Sequence, residues 1–434
     1  MSLRRLAIIG GGFSGTLAAI QLLRRGHQVT LIERAERVGR GVAYSTPHAD
    51  HLLNVRASGM SAFPEEPDHF SNWHGEASDF AERRRYGDYL RQLLAAASEE
   101  AGDRLSVVSG EAVDVVASDG REAVLLEGGD RIEADAVVLS VGNLAPSVPR
   151  TIAPELAGGR VYVSDPWAGD FTAGLAEDDV VLLIGTGLTA IDAALMIESS
   201  GFQGRTIAIS RRGMVPRAHA EPAPPPKLEE VPEPRCTSLV RSVRSQAARI
   251  GWRVAVDQLR PVTQRLWASA SPEERRRFLR HLRPYWDVHR HRIAPSIAER
   301  IRNMVGDGRL QFAAGKILAT RAEGDHVSVE WRPRGTESAR TLRVARIVNC
   351  TGPEADISRA DEPLLRNLVT SGRIRPDVCR IGIDIDEDGH VIGADGTASK
   401  SIYAIGPMTR GAWWEIVAVP DIRGQAEALA RTIA

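Results

Sequence analysis

The chain has 434 residues, of which 43% are hydrophobic, and a formal net charge of -1. This length accommodates two or three domains with a sizeable core, and the balanced charge gives no reason to expect nucleic acid or a membrane surface as a partner. The three cysteines, Cys236, Cys350 and Cys379, lie far apart. Their spacing argues against a disulfide framework, a zinc ribbon and a dithiol redox pair, so a reducing, cytoplasmic compartment is expected. No run of about 18 apolar residues indicates a membrane span.

The first predicted elements are a strand over residues 5–9, a glycine turn and a helix that continues to Arg24. The turn has G-x-G-x-x-G spacing, in which one glycine permits the tight turn, one lets the backbone approach a pyrophosphate and one lets the helix lie close to the strand. The N–H groups that begin the helix attract phosphate, and the next strand, "HQVTLIE", ends in a carboxylate suited to ribose hydroxyls. A ligand-free packing site is the alternative. The predicted dinucleotide contacts are Gly10, Gly12, Phe13, Ser14, Gly15, Glu33 and Arg34.

A second strand, glycine turn and helix follow at "VLLIGTGLTAID", Val181 to Asp192. Here the next strand, "RTIAIS", ends in a serine and two arginines instead of an acid. An acid at this position suits the free 2′-hydroxyl of FAD or NAD, whereas arginine can bind a 2′-phosphate. The first site is therefore expected to bind FAD and the second NADPH, with a solvated turn as the alternative for the arginines. The predicted NADPH contacts are Gly185, Gly187, Leu188, Thr189, Ser210, Arg211 and Arg212.

Two further apolar segments, "DAVVLSVGN" and "ARIVNCTGPEAD", end in turns where cofactor contacts at Gly142 and Gly352 are expected. In flavoproteins with two dinucleotide-binding domains, such strands mark where the chain leaves the FAD domain and where it returns. We therefore predict an α/β fold with two Rossmann-like domains. The predicted boundaries are 1–150 plus 346–434 for the discontinuous FAD domain and 151–345 for the NADPH domain, which includes a helical segment at 237–306.

The middle of the chain combines a proline-rich loop, "AEPAPPPKLEEVPEP", with an arginine-rich helical region. We expect the loop to be exposed, since proline fits neither a helix interior nor a central strand. Within the helical region, "YWDVHRHRI" contains His289 and His291, which are two residues apart and cannot share a helix face, so a metal site is not expected. Two interpretations stay open. The helix packs at the domain junction through Trp286, or Arg290 or Arg292 binds a substrate carboxylate, a urate-like anion or a cofactor phosphate.

These motifs and several longer blocks resemble bacterial FAD/NAD(P)-binding proteins related to flavin-dependent N-hydroxylating monooxygenases, a group that includes proteins assigned as FAD-dependent urate hydroxylases. The blocks are "GGGFSGTLAA", "GRGVAYSTPHADHLLNVRASGMSAF", "GTGLTAID" with "ISRRG", "RFLRHLRPYWDVHRHRIAP" and "IGPMTRGAWWEIVAVPDIRGQA". The resemblance covers nearly the whole chain. It implies that Arg40 and Gly41 lie beside the FAD pyrophosphate and that Asn54 and Val55 approach the isoalloxazine ring. The last block is implied to lie under the flavin and to contribute Gly406, Pro420 and Ile422.

Two features depart from the best-known relatives. Gly406 is followed by proline, where many two-domain flavoproteins have an aspartate on the ribityl chain, and "LAGGRVYVSDPW" lacks the histidine of an F-x-G-x-x-x-H segment. Pro420 fits the first turn of a helix, where its missing N–H costs little. The positive end of that helix is expected to point at the N1–C2=O edge of the flavin and to stabilise negative charge on the reduced ring.

The expected activity follows from the cofactors, because NADPH can pass hydride to FAD and no dithiol, haem or Fe–S pattern is present to accept the electrons. We predict an NADPH-dependent FAD monooxygenase that hydroxylates a small polar substrate with molecular oxygen through a flavin C4a-hydroperoxide. Asn54 is the candidate hydrogen-bond donor, and Trp414 and Glu415 are candidates for the pocket wall and its polarity; packing under the flavin is the alternative for each. The alternative functions are an NAD(P)H-dependent reductase that serves a quinone or a protein partner, and a flavin-bound regulatory protein. The identity of the substrate and self-association stay open.

Overall fold

The computed structural model describes residues 3–221 and 226–433, and no helix in this part is long and apolar enough to cross a membrane. The strands are β1 (Arg5–Ile9), β2 (Gln28–Glu33), β3 (Leu105–Ser109), β4 (Ala112–Ser118), β5 (Arg121–Leu126), β6 (Arg131–Ala134), β7 (Ala136–Leu139), β8 (Tyr162–Val163), β9 (Val180–Ile184), β10 (Arg205–Ser210), β11 (Leu310–Glu323), β12 (His326–Pro333), β13 (Arg340–Val344), β14 (Arg346–Asn349), β15 (His390–Ile392) and β16 (Ala398–Ala404). The helices are α1 (Phe13–Arg24), α2 (His69–His74), α3 (Arg83–Ala101), α4 (Leu188–Ser199), α5 (Cys236–Ile250), α6 (Trp252–Asp257), α7 (Thr263–Ser269), α8 (Pro272–Arg277), α9 (Arg283–Arg290), α10 (Pro295–Gly306), α11 (Pro363–Thr370) and α12 (Val419–Ile433).

The first sheet has the strand order β15-β16-β7-β1-β2-β3, and its neighbouring strands are parallel except for β15 and β16. Its central strand β1 is apolar, with Leu6, Ala7 and Ile8 each at most 1% exposed. A strand buried on both faces needs apolar residues at successive positions, which is why the sequence predicts this strand, and the structure confirms it. A three-stranded antiparallel sheet, β4-β5-β6, precedes β7 along the chain.

The second sheet has the order β13-β12-β11-β10-β9-β14-β8, with an antiparallel extension formed by β12 and β13. In both sheets a glycine turn and a helix follow a central strand, and the strand order reverses beside it. The central strand is β1, between β2 and β7, in the first sheet, and β9, between β10 and β14, in the second. Ligands of open parallel sheets bind at such switch points, outside the carboxyl ends of the strands. The predicted α/β fold with two Rossmann-like units is confirmed.

The boundary predicted at residue 346 needs a correction. Arg346–Asn349 form β14, which pairs with β9 and β8 in the second sheet, so the second unit extends past that boundary. An apolar strand has the same composition in either sheet, and composition alone therefore does not assign it to one of them. The helices α5 to α10 lie between β10 and β11. Residues 222–225 of the proline-rich loop lie outside the described residues.

Ion pairs join the two units. Arg83, at the start of α3, forms a bidentate pair with Asp192 of α4, with distances of 2.8 and 3.1 Å. Arg300 of α10 binds both Asp50, at 2.6 Å, and Glu198 of α4, at 2.7 Å. Bidentate pairs fix orientation as well as distance. These contacts hold α4, which begins at the second glycine turn, against the first unit.

Candidate functional site

The first glycine turn brings the start of α1 against the ends of β1 and β7. Gly10 has a φ of 102°, and a Cβ atom on it would lie 2.4 Å from the carbonyl oxygen of Ser140. A Cβ atom on Gly15 would lie 1.9 Å from the carbonyl oxygen of Gly10. Both positions therefore require glycine, Gly10 for its left-handed backbone and both for the close approach of helix and strand.

The N-terminus of α1 is available to a ligand. Its N-cap residue, Gly12, provides no side-chain cap. The loop after β2 folds over it, since a Cβ atom on Gly41 would lie 2.9 Å from Cα of Gly12. Beside Gly41, the Nε atom of Arg40 is buried without a partner among the described residues. An uncapped helix N-terminus, covered by a loop that carries an arginine with an unpartnered nitrogen, fits a pyrophosphate group.

The side chain of Phe13 belongs to the core of the first unit. It packs against Tyr44 and Tyr86, with ring centroids 6.0 and 6.1 Å away. Only the backbone of Phe13 can therefore serve a ligand at the start of α1. The adjacent Ser14 is 6% exposed, and it lies at the point where the C-terminal part of the chain approaches this turn.

Glu33 closes the first turn from the end of β2. Its two carboxylate oxygens accept hydrogen bonds from the N–H groups of Gly11, at 2.8 Å, and Ala35, at 3.1 Å. Each ionised oxygen has more than one acceptor site, so ribose hydroxyls can still be bound. Arg34, the next residue, stays a predicted cofactor contact; its half-exposed guanidinium forms ion pairs of 2.7 Å with Glu362 and 3.4 Å with Glu111.

The second glycine turn repeats the geometry of the first. Gly185 has a φ of 125°, and a Cβ atom on it would lie 2.3 Å from the carbonyl oxygen of Cys350 at the end of β14. Gly187 is the N-cap of α4 and provides no side-chain cap. A Cβ atom on Gly187 would meet nothing within 4 Å. The protein itself therefore does not require glycine there, which is the pattern expected where a ligand approaches the backbone. Leu188 and Thr189 follow as the first residues of α4.

At the end of β10, beyond the second turn, Ser210 differs from its predicted role. Thr186 donates to the carbonyl oxygen of Met214, so the 2.8 Å bond between the hydroxyl groups of Thr186 and Ser210 uses the proton of Ser210. Ser210 also accepts a hydrogen bond from the N–H of Gly213 at 3.0 Å. Its hydroxyl proton is thereby used within the turn, and the predicted phosphate contact of Ser210 is revised to a role in shaping this loop.

The two arginines that follow are less constrained. Arg211 is exposed and forms no ion pair with the described residues. The guanidinium carbon of Arg212 lies 5.5 Å from the centroid of the Tyr285 ring, on helix α9. This is a cation–π distance that leaves the hydrogen-bond donors of a guanidinium unspent. Both arginines are therefore available to an anion at this strand end.

Asn54 lies at the junction of the two units. Its carbonyl oxygen accepts a hydrogen bond of 3.0 Å from Nε2 of His219, a residue that sequence reasoning did not single out. Burial lowers the pKa of His219, which favours the neutral ring with its proton on Nε2. Val55 packs on Gly59, where a Cβ atom would lie 2.8 Å from its Cγ1 atom. The loop that carries Asn54 and Val55 is thus fixed by both units.

The C-terminal part of the chain returns to the first glycine turn. Gly406 has a φ of 85°, and a Cβ atom on it would lie 2.4 Å from Oγ of Ser14. Its N–H donates to Oε1 of Gln425 in α12 at 2.8 Å. Pro420 is the second residue of α12, which confirms its predicted place in the first turn, and Ile422 is 4% exposed. Turn, loop and helix therefore meet where the sequence predicts the FAD contacts.

Glu415 connects this loop to the arginine-rich helix α9. Its carboxylate accepts a hydrogen bond of 2.8 Å from Nε1 of Trp286 and lies 3.3 Å from Nε2 of His291 and 3.4 Å from Nε of Arg290. The Glu415 side chain is only 10% exposed. The segment "YWDVHRHRI" therefore packs on the C-terminal loop through Trp286, as one of the two predicted interpretations has it.

The charges of this cluster stabilise one another. Burial would raise the pKa of Glu415 and lower that of His291, but the hydrogen bond and opposite charges between them outweigh burial. The pKa of Glu415 consequently lies below its ordinary value, and the pKa of His291 lies above its own. Asp287 lies 3.9 Å from His291, and burial raises its pKa. The cluster thus favours a carboxylate at Glu415 and an imidazolium at His291.

The prediction that Arg292 binds a substrate anion needs a correction. Arg292 is 6% exposed and forms a bidentate pair with Asp257, with distances of 2.9 and 3.0 Å. Its Nε donates to the carbonyl oxygen of His289 at 2.8 Å, and Nη2 also contacts that of Arg253 at 3.4 Å. With its nitrogens committed in this way, Arg292 fixes α9 to α6. The nearest contact of Arg290 with Glu415 is through Nε, at 3.4 Å, and its terminal nitrogens form no hydrogen bond with the described residues, so they stay available.

Trp414 is 6% exposed and lies in an aromatic cluster. Its ring stacks on Trp267 of α7, with centroids 4.7 Å apart and an interplanar angle of 25°. Phe278 packs edge-on against Trp414 at 5.4 Å. These three rings form part of the wall of one pocket. The structure therefore places Trp414 in a pocket wall, one that the helical segment α5 to α9 builds together with the C-terminal loop.

Two further contacts of charged residues near this loop were not predicted from the sequence. Asp421, in the first turn of α12, lies 3.2 Å from Arg260, and burial raises its pKa despite that partner. Arg410 is 8% exposed and donates to Oδ1 of Asn143 at 3.2 Å, beside Gly142; burial lowers its pKa to about 10.

Gly142 and Gly352 have φ angles of 68° and 87°. Among the described residues, no His, Cys, Asp and Glu side chains converge as a metal site.

Comparisons with known proteins find relatives of part of the chain. A family model described as FAD-NAD(P)-binding matches residues 7–144. An FAD-binding monooxygenase of Epichloe uncinata is 28% identical over 207 residues, which cover 46% of this chain and 36% of that protein. The chain therefore spans little more than a third of the length of that curated relative.

Solved structures extend the likeness over the whole chain. The ornithine hydroxylase of Pseudomonas aeruginosa has a TM-score of 0.68 at 17% identity, covering 100% of this chain and 99% of that one. An ornithine N-hydroxylase of Kutzneria sp. 744 has the same TM-score at 15% identity and the same coverage. The first unit thus matches an FAD-NAD(P)-binding family model, and the chain as a whole has two Rossmann-like units. More particularly, it has the fold of the N-hydroxylating flavin monooxygenases, and the resemblance seen in the sequence is confirmed at that level.

Proposed function

We propose that the protein is an FAD-dependent monooxygenase that uses NADPH and molecular oxygen to hydroxylate a small substrate. One observation carries the proposal. Two uncapped glycine turns have the same geometry, but the strands that follow them end in opposite charges, Glu33 after the first and Arg211 and Arg212 after the second. Opposite charges at these positions select an unphosphorylated ribose at one site and a 2′-phosphate at the other.

The residues of the first turn fit FAD. The N–H groups at the start of α1 and the unpartnered Nε of Arg40 would bind the pyrophosphate, and Glu33 would accept the ribose hydroxyls. Gly12 and Gly41 let the loop that carries Arg40 lie close over the start of α1. FAD held there supplies the hydride acceptor and the centre that activates oxygen.

The residues of the second turn fit NADPH. Gly187 leaves open space above the start of α4, and Leu188 and Thr189 offer their N–H groups to its phosphates. Arg211 is the principal candidate for the 2′-phosphate, because it is exposed and has no carboxylate partner among the described residues. Arg212, over the Tyr285 ring, is the second.

The remaining predicted residues divide into two roles. Asn54 is proposed as a hydrogen-bond donor near the reacting centre, on a loop that His219 holds in place, and Trp414 is proposed to exclude water from the pocket. Glu415 is proposed as a positioning residue, because its carboxylate is occupied by donors from α9 and cannot act on a substrate directly. Arg290 keeps its terminal nitrogens for an anionic group of the substrate.

The two solved structures named above are described as ornithine hydroxylases, and ornithine is a small molecule with a nucleophilic nitrogen. We extend that chemistry to this chain and propose N-hydroxylation of a small amine. Oxygen transfer to nitrogen requires a deprotonated amine in a pocket that excludes bulk water. The aromatic wall around Trp414 provides such an environment.

Stepwise reduction and oxidation test the proposal. The FAD-loaded protein is mixed anaerobically with NADPH, and the visible absorbance of the flavin should disappear. Isotopically labelled oxygen and a panel of amines are then added, and labelled hydroxylamine products should be found by mass spectrometry. If the flavin is not bleached, a regulatory flavoprotein is favoured instead. Steady anaerobic turnover with a quinone, or recovery of all the oxygen as hydrogen peroxide with every amine, would overturn the monooxygenase assignment.

A further inference from the structure

The pocket beside Trp414 has an almost entirely apolar lining. It lies between helices α5, α7 and α8 and the C-terminal loop, and its walls include Trp267, Trp414 and Phe278. Leu259, Leu266 and Ala270 add to its apolar surface. Its volume is about 50 Å³, and its mouth is open to one side.

Charged residues at its edge are committed to the protein. Arg275 donates from Nε to the carbonyl oxygens of Trp267 and Ala270, at 2.9 and 3.1 Å, and from Nη2 to that of Ala268 at 2.8 Å. The Glu274 carboxylate accepts a hydrogen bond of 2.7 Å from the N–H of Cys236. The two charges thus stabilise the ends of helices α5 and α7, and they offer a ligand little polar surface.

Water is a poor occupant of such a site. A bound water needs two to four polar partners, and apolar cavities without them stay dry and bind small apolar molecules. Burial of an apolar group there releases about 25 cal/mol for each Å² removed from water. The pocket is therefore best suited to a small hydrocarbon group.

The position of the pocket links it to the proposed reaction. Trp414 directly precedes Glu415, and Nε1 of Trp267 donates to the carbonyl oxygen of Gly411 at 2.8 Å. The C-terminal loop is thus shared between the pocket and the proposed flavin site. A substrate with a second charged group at its far end would lose the hydration of that group in the pocket, and the polar groups at the edge are already used within the protein and do not replace it.

We propose that this pocket binds the apolar end of the substrate, an alkyl chain end or a single ring. The inference rests on the proposed function and narrows its substrate class to small amines whose far end is a hydrocarbon group. Diamines and amino acids with a charged far end are excluded by the same lining. The substrate nitrogen stays outside the pocket, towards the two loops that carry Asn54 and Glu415.

A matched pair of amines tests the inference. Hexylamine and cadaverine have chains of the same length, but hexylamine ends in a methyl group where cadaverine has a second ammonium group. Binding to the FAD-loaded protein is measured by titration calorimetry without NADPH, so that the result does not depend on turnover. We expect hexylamine to bind at least tenfold more tightly, equivalent to about 1.4 kcal/mol. Equal affinities, or tighter binding of cadaverine, would overturn the inference.

A matched pair of variants locates the binding. Ala270 is half-buried in the pocket wall, whereas Ala268 is exposed two residues earlier on the same segment and is not part of the wall. Ala270→Leu fills the pocket and should weaken hexylamine binding at least tenfold, with flavin absorbance and circular dichroism confirming the fold. Ala268→Leu should leave binding unchanged. Equal effects of the two substitutions would overturn the inference, as would no effect of either.

A variant that enlarges the pocket provides a control for misfolding, because it is expected to strengthen binding. Leu266→Ala should tighten binding of the bulkier phenethylamine relative to the unmodified protein, a gain that a damaged structure would not produce. The proposed function and the apolar site can be disproved independently of each other. If hexylamine binds in the pocket but no labelled product forms, the apolar site stands and the monooxygenase assignment falls. If product forms from cadaverine and hexylamine alike in both alanine-to-leucine variants, the monooxygenase assignment stands and the apolar site falls.

Discussion

The indole nitrogen of Trp286 donates a hydrogen bond of 2.8 Å to the carboxylate of Glu415, and this bond joins helix α9 to the loop before α12. Glu415 has a φ of 71°, a left-handed conformation that is uncommon for any residue other than glycine. Strained backbone of this kind persists only where the surroundings hold it in place. The donors from α9 provide that support, and they thereby set the approach of α12 to the proposed flavin site.

Glu415→Gln should reduce the free energy of unfolding by about 2 kcal/mol, because it keeps an acceptor for Trp286 but leaves two partly buried cations without their counter-charge. Urea unfolding followed by circular dichroism measures the change. Glu387 is exposed and serves as the control position for the same substitution. A loss no larger than that of Glu387→Gln would show that the cluster does not support the loop.

The contribution of His291 to stability should fall as the pH rises. Its pKa is raised in the folded protein from an ordinary value of 6.5, so its stabilisation is complete below that value and is lost as the pH passes through the raised pKa. The stability difference between the unmodified protein and His291→Gln should therefore be larger at about pH 6 than at about pH 9. The exposed His281 provides a control substitution. A difference that grows with pH would contradict the ion pair.

The parts of the site that the sequence predicts are those coded by neighbouring residues. The spacing of Gly10 and Gly15, or of Gly185 and Gly187, together with an apolar strand before them, specifies a turn whose form local backbone geometry decides. The place of Pro420 in the first turn of α12 follows from its fixed φ and missing N–H in the same way. Local covalent constraints leave few alternatives, and these predictions hold.

Partners of the arginines could not be predicted, because ion pairs depend on which distant segments the fold brings together. Arg290 and Arg292 are two residues apart, yet one meets Glu415 in the C-terminal loop and the other Asp257 in α6. The chain has 55 basic and 56 acidic residues, so the sequence offers each arginine many carboxylates and no means to choose. Only the packing of α9 between two segments decides the choice.

Arg211→Ala should weaken NADPH binding by about tenfold to a hundredfold and leave NADH binding nearly unchanged, since hydrogen bonds to charged groups contribute about 1.5–3 kcal/mol. Equilibrium dialysis or calorimetry with both nucleotides measures the two affinities. Arg205 lies exposed at the opposite end of the same strand, β10, and Arg205→Ala is the matched control. Equal losses for NADPH and NADH would remove the phosphate role of Arg211.

Gly187→Ala should weaken NADPH binding at least tenfold while changing the free energy of unfolding by no more than about 0.5 kcal/mol. Its φ is -85°, which alanine readily adopts, and the added methyl group would meet nothing within 4 Å in the protein. Gly185→Ala should by contrast destabilise the fold, because its φ is 125° and its methyl group would collide with Cys350. If Gly187→Ala binds NADPH normally, the ligand does not approach the backbone at this turn.

The pair between Arg83 and Asp192 should couple the two units. Its side chains are 15% and 9% exposed, and removal of one partner from a buried pair typically costs about 3–5 kcal/mol. Asp192→Asn and Arg83→Gln should each destabilise the protein by about that amount, and the double variant should lose less than their sum. Additive losses in urea unfolding would show that the two residues act independently.

The same pair should also affect the reaction. Asp192 lies in α4, whose N-terminus forms the proposed NADPH site, and Arg83 lies in a helix of the first unit. Because bidentate geometry fixes orientation, loss of the pair should misalign the two nucleotides and slow anaerobic flavin reduction. NADPH affinity should change little, since neither residue lies at the strand end that carries Arg211. A variant that loses affinity but reduces its flavin at the normal rate once saturated would show that Asp192 shapes the nucleotide site and does not align the units.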